Sequence, residues 1–167
     1  MKLIWVETVP YASNQGVRIH SARYDVEGSG SPLLLLHGFL GYLEEWQELG
    51  YVDSLKKDFT LVLMDLRGHG DSDKPHDPAA YKLKLLVDDV LAVMDARNIK
   101  KTHFLGYSLG GRMAFALAKH APERFHSFII GGQSPYARPQ ARIRWWLQEL
   151  KKGMAVHVEL LEKETGV

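Results

Sequence analysis

His103-Phe104-Leu105-Gly106-Tyr107-Ser108-Leu109-Gly110-Gly111-Arg112 is the stretch on which the reading of this chain turns. It has the form Gly-x-Ser-x-Gly, entered from an apolar run and left into a helical pattern. A serine in that context sits on a sharp strand-to-helix turn, in a strained backbone conformation. Gly106 and Gly110, two residues to either side, must pass close to neighbouring backbone, where a Cβ would clash. The turn pushes the Ser108 hydroxyl out of the sheet. It also sets the N–H of Leu109 at a helix N-terminus, where negative charge is stabilised. Taken alone, the pentapeptide also describes an ordinary glycine-rich turn.

Two further stretches separate these readings. Leu33-Leu34-Leu35-Leu36-His37-Gly38-Phe39-Leu40-Gly41 begins as a continuous apolar run, as a strand buried on both faces should. Asp65-Leu66-Arg67-Gly68-His69-Gly70-Asp71-Ser72 follows another apolar run, Phe59 to Met64. In order and separation, the three stretches together resemble the α/β-hydrolase superfamily. The resemblance is good over residues 15 to 135 and looser beyond.

The rest of the chain fits that frame. Leu3 to Thr8 and Val17 to Val26 read as strands, the second with a phase slip that predicts a bulge near Ser21. Glu44 to Leu49 begins a helical stretch. Asp77-Pro78-Ala79 is a helix start. From Tyr81 to Asn98, Leu83, Val87, Val90 and Met94 recur at helical spacing, with charges on the other face. Thr102 to Leu105 leads into Ser108. Gly110 to His120 forms the next helix, with small Ala114, Ala116 and Ala118 facing the sheet, and Ser127 to Ile130 makes a sixth strand. Strands alternating with helices predict a parallel sheet with ligands at the carboxyl ends of its strands, where His37, Asp65, Ser108 and Gly131 all fall. The expected class is α/β. A mostly parallel sheet carries helices on both faces and is truncated after the sixth strand. Residues 1–135 form this core, and 136–167 begin a helical cap or a terminal helix docked on the core.

Composition excludes several functions. The 167 residues carry a formal charge of +1, which gives no footprint for nucleic acid or an anionic membrane. The chain has no cysteine, so disulfides, thiolate metal sites and a cysteine nucleophile are out. No apolar run approaches a membrane span, and the first residues lack a signal-peptide pattern, so a cytoplasmic protein is expected. No metal or cofactor is expected.

The resemblance implies a serine nucleophile, Ser108, acting on a carboxylic ester or related acyl group. It implies an oxyanion hole from the N–H groups of Phe39 and Leu109, and names Arg112 and His37 as substrate-binding candidates. The residues themselves favour a structural His37 whose ring holds its loop. Asp65, Asp71 and Asp73 are tempting as acids, but the family reading makes them structural. The family places its acid and histidine after strands that lie beyond the stretch read here. Among the histidines after Ser108, His120 ends a helix, His126 opens the sixth strand at the wrong end, and only His157 could lie over the site. The expectation is therefore an amino-terminal half that self-associates or pairs with a complementary carboxyl-terminal half. The segments Gly106 to Arg112, His37 to Gly41 and Glu45-Trp46-Gln47 also resemble the pyruvate-eliminating synthase of the menaquinone pathway, where Arg112 would bind a substrate carboxylate. A third possibility is an association module without catalysis.

Overall fold

A computed structural model of the chain describes residues 11–24 and 30–136. Nearly all of these fall in the first of the two units into which the chain divides, residues 1–133. The expected strand Leu3 to Thr8, the cap segment and His157 lie outside the described residues.

Two leucine-rich strands form the centre, and their side chains divide by parity. In β3 (Ser31–Leu36) and β4 (Phe59–Met64), Leu34, Leu36, Val62 and Met64 enter one core cluster, whereas Leu33, Leu35, Leu61 and Leu63 enter another. This is the period-two consequence of strand geometry in a sheet covered on both sides. Each such leucine, fully buried, contributes about 1.5–3 kcal/mol through area removed from water. The first cluster is completed by α3 (Leu83–Ala96) and α4 (Leu109–His120), the second by Leu43, Trp46 and Val52 around α1 (Glu45–Glu48) and α2 (Tyr51–Leu55). Helices therefore lie on both faces, as expected.

The sheet has six strands in the order β1-β2-β4-β3-β5-β6, with β1 spanning Tyr11–Asn14, β2 Val17–Tyr24, β5 Thr102–Tyr107 and β6 Phe125–Gly131. The pairs β4–β3, β3–β5 and β5–β6 are parallel. Strand order reverses at β3, so the crevice between the carboxyl ends of β3 and β5 is the topological switch point where ligands bind in such sheets. Both the Gly38 loop and Ser108 stand at that crevice.

Several boundaries differ from those read in the sequence. A strand not anticipated, β1 (Tyr11–Asn14), pairs antiparallel with the first half of β2 (Val17–Tyr24). Gln15 and Gly16 join them at φ 50° and 80°, the two positive values that a tight hairpin turn requires. The slip near Ser21 is no bulge. At that residue β2 leaves β1 and pairs antiparallel with β4, Ser21 opposite Met64. The bulge lies instead on β6, where register shifts between Thr102 and His103 and so admits an extra residue. Gly50, at φ 77°, divides α1 from α2. A 3₁₀ turn, Pro78–Tyr81, precedes α3, its first free N–H (Ala79) bonded by the Asp77 side chain at 2.8 Å. On α3, Leu83 is exposed and Asp89 is fully buried, because Asp89 meets Arg67. On α4, Ala118 is exposed, and Gly110, Gly111, Ala114 and Ala116 give the close approach to the sheet. Among the described residues no helix is long and apolar enough to cross a membrane.

Candidate active site

Ser108 stands between the end of β5 and the start of α4 with φ 50° and ψ −103°. A non-glycine residue in that region costs on the order of 1–3 kcal/mol and persists only where its surroundings hold it. Here they do. Ser108 N–H donates to Gly131 O at 2.8 Å, and Gln133 Nε2 donates to Ser108 O at 3.3 Å, so the end of β6 grips the turn. Gly110 N–H donates to His37 O at 3.1 Å, tying the start of α4 to the end of β3. That approach leaves no room for a side chain. A Cβ on Gly110 would overlap Leu36 O and lie 2.8 Å from Leu36 C and 2.9 Å from His37 O. One on Gly106 would overlap Gly110 O and stand 2.8 Å from Gly111 N. The glycine pattern in the sequence is thus the imprint of a three-way backbone junction.

The segment after β3 runs alongside this turn. A Cβ on Gly38 would lie 3.4 Å from Ser108 Cβ, so Gly38 faces the serine with little space between them. The N–H groups of Phe39 and Leu109 have no hydrogen-bond acceptor among the described residues. The Ser108 hydroxyl is half-buried and makes no hydrogen bond there either. A hydroxyl lifted on a strained turn, with two unpartnered amides near it, suits attack on an electrophilic carbon whose oxygen becomes negative. A cleft of about 820 Å³ opens beside it, lined among others by Phe39, Tyr42, His69, Tyr81, Leu86 and Leu109.

His37 is buried, and both of its ring nitrogens are engaged. Nδ1 faces Gly38 O at 2.7 Å, and Nε2 faces the N–H of Leu66 at 3.2 Å. Burial pushes the imidazole pKa below its ordinary value. The neutral ring with its proton on Nδ1 satisfies both contacts: it donates to Gly38 O and accepts from Leu66 N–H. With both nitrogens engaged in this way, the geometry fits the loop-holding reading of His37.

Asp65, structural in the family reading, has three partners on its carboxylate. Its carboxylate accepts from Leu43 N–H at 2.8 Å and Asp71 N–H at 3.0 Å, and His20 Nδ1 lies 2.8 Å away. Burial alone would raise the Asp65 pKa. The hydrogen bonds from His20 and the two amides outweigh burial and hold it below the usual carboxylate range. The same hydrogen bond raises the His20 pKa against partial burial. Asp73 instead pairs with Arg18 at the surface, and Arg67 forks onto buried Asp89 with bonds of 2.6 and 2.5 Å.

Arg112 is exposed on α4, and its side chain has no ion pair among the described residues. His120 closes α4, and His126 lies near the start of β6, at the end of the sheet opposite Ser108. Among the described residues no three histidine or carboxylate side chains converge as metal ligands. Sequence reasoning missed His20 and Leu43. Neither lies in a motif, and Leu43 acts through its backbone, which no side-chain pattern reports.

The family model for the alpha/beta hydrolase fold matches residues 31–157. A protein of Bacillus subtilis (strain 168) with a provisional assignment as 2-succinyl-6-hydroxy-2,4-cyclohexadiene-1-carboxylate synthase is 29% identical over 77% of this chain and 45% of its own. Epoxide hydrolase 4 of Mus musculus is 34% identical over 70% of this chain and 32% of its own. Among solved structures, the enol-lactonase from Burkholderia xenovorans LB400 superposes with a TM-score of 0.65 at 33% identity, covering 71% of this chain and 45% of that one. The chain thus spans 32–45% of the length of these relatives.

Proposed function

This chain belongs to the α/β-hydrolase fold family, and from that premise we propose that it carries the nucleophile and oxyanion hole of a serine hydrolase acting on carboxylic esters or related acyl groups. The observation that carries the reading is Ser108 held at φ 50°, with two unpartnered N–H groups, one on the next residue, Leu109, and one on Phe39, which follows the Gly38 that faces the serine. Ser108 Oγ attacks the acyl carbon, its proton passes to a base, and the carbonyl oxygen becomes an oxyanion held by the two amides. Collapse of that intermediate expels the alcohol and leaves an acyl group on Ser108, which water then releases. The described residues place no base on Ser108 Oγ. The family resemblance assigns that base to a histidine oriented by an acid, both from polypeptide outside the described residues or from a second chain. His37 serves by fixing the Gly38–Phe39 backbone. Turnover of short aryl esters that is lost in Ser108→Ala supports the assignment; turnover that survives the substitution removes Ser108 from the mechanism.

Similarity to the Bacillus subtilis protein, together with exposed Arg112, favours one second reading: a lyase of the pyruvate-eliminating synthase type. In that reading Arg112 binds a substrate carboxylate and the same oxyanion hole stabilises an enolate. Pyruvate released from the synthase substrate, without aryl ester turnover, selects it.

A further inference from the structure

The geometry points to Asp65 as the positioning residue that places the Phe39 N–H, by anchoring the far end of the loop between β3 and α1, whose near end His37 holds against the amide that follows Asp65. The inference rests on the reading of Phe39 as an oxyanion donor. The loop from His37 to Leu43 has little of its own to hold it. Phe39 and Leu40 at its tip are 58% and 57% exposed, and Leu40 adopts φ 64°. One backbone bond closes its turn, Gly41 N–H to Gly38 O at 3.2 Å, and the Phe39 ring meets the edge of His69 at 5.8 Å. Its position is therefore set from its ends. At the far end, Leu43 N–H donates to Asp65 Oδ1 at 2.8 Å in a buried bond. At the near end, His37 holds Gly38 O and takes Leu66 N–H, the amide of the residue that follows Asp65. Asp65 Oδ1 also lies 3.7 Å from His37 Nε2, close packing rather than a hydrogen bond, since that nitrogen is already accepting.

Asp65 is in turn fixed from three directions. His20 Nδ1 and Asp71 N–H meet Oδ2, and Asp65 N–H donates to His20 O at 3.0 Å. Ser72 Oγ donates to Asp65 O at 2.8 Å and accepts from His20 N–H. A Cβ on Gly70, already at φ 47°, would fall inside the Asp65 carboxyl group, so the backbone of the 66–72 loop is moulded around it. A carboxylate suits this cage. A backbone N–H is aimed at each of its oxygens, so an amide would turn its own NH₂ toward one of them. Asp65 touches no reacting atom. It acts through the loop.

Two substitutions perturb the cage independently in the full chain. Asp65→Asn removes charge and one acceptor. Gly70→Ala displaces the carboxylate and leaves its charge intact. Asp73→Asn, in the same loop but bonded to Arg18, is the control. Hydrogen exchange over residues 37–43 and the rate of fluorophosphonate attachment to Ser108 are read together. Both cage variants are expected to raise exchange in 37–43 tenfold or more relative to the rest of the sheet. Both are expected to slow attachment about 10²-fold or more, as loss of an oxyanion donor does, whereas Asp73→Asn changes neither. Exchange that rises only in step with the whole sheet, or does not rise, overturns the inference. If the parent takes no fluorophosphonate, no base reaches Ser108 in this chain, and the exchange data alone decide for or against Asp65. If neither cage variant folds, the parent decides. Slow exchange at Leu43 beside fast exchange at Phe39 supports the anchor, and fast exchange at Leu43 overturns it.

Discussion

Gly110→Ala sets two opposed effects against each other. Alanine is favoured over glycine within a helix by up to about 1 kcal/mol, and Gly110 is the second residue of α4. Propensity alone therefore predicts stabilisation. Packing predicts the reverse. The new Cβ would overlap Leu36 O and stand 2.8 Å from Leu36 C and 2.9 Å from His37 O. All three are backbone atoms, which no rotamer change can move. Restoring van der Waals distance requires α4 to retreat from β3 by about 1 Å, an overpacking cost of about 1–3 kcal/mol. The retreat also stretches the 3.1 Å bond from Gly110 N–H to His37 O, which contributes about 1 kcal/mol. The clash wins, with a net loss of about 1–3 kcal/mol and a fall in Tm of roughly 2–4 °C for each kcal/mol. A 1 Å displacement at the start of α4 also moves Ser108, and misplacement on that scale costs about 10²-fold in rate. Thermal unfolding by circular dichroism and fluorophosphonate attachment should fall together. A Tm equal to or above the parent's would refute the backbone junction and leave propensity in control.

Ser108→Gly should raise stability by about 1 kcal/mol, since glycine accepts φ 50° freely. Ser108→Ala keeps the strain and should leave Tm unchanged; equal Tm values for both variants would show that the turn stores none. Arg67→Leu strands Asp89, which is fully buried, and should cost about 3–5 kcal/mol in urea unfolding; a loss under about 1 kcal/mol would mean that Asn14, 2.7 Å from Asp89, suffices. The pair His20–Asp65 sets two limbs of a pH profile. Because the Asp65 pKa is depressed on folding, its contribution is full above the ordinary carboxylate value and is lost as pH falls through the folded value. Because the His20 pKa is raised, its contribution is full below the ordinary imidazole value and is lost as pH rises through the folded one. Urea midpoints measured against pH should show both limbs, and His20→Phe should remove the alkaline one; an alkaline limb that persists assigns it to another group.

Much of this fold was written in short-range pattern. Leu61–Met64 and the leucine run ending at Leu36 are unbroken apolar stretches, and such stretches have few alternatives to a doubly covered strand. Gly106, Ser108 and Gly110 announced the turn because its steric demands fall on neighbours in sequence. What stayed hidden depends on distant partners. The change of partner within β2 at Ser21 looked like a bulge, because the sequence carries a phase slip and no record of which strand lies alongside. Asp89 looked like surface charge until Arg67 met it across 22 residues. The donors around Asp65 come from positions 20, 43 and 71, and two of them are backbone amides that leave no trace in residue identity.

The central claim is that Ser108 is a nucleophile beside a ready oxyanion hole. Fluorophosphonate labelling of the protein, read by intact mass and peptide mapping, tests it most directly. A single adduct on Ser108 is expected, abolished by Ser108→Ala and slowed by Gly110→Ala. An adduct on another residue, or labelling that survives Ser108→Ala, would contradict that reading.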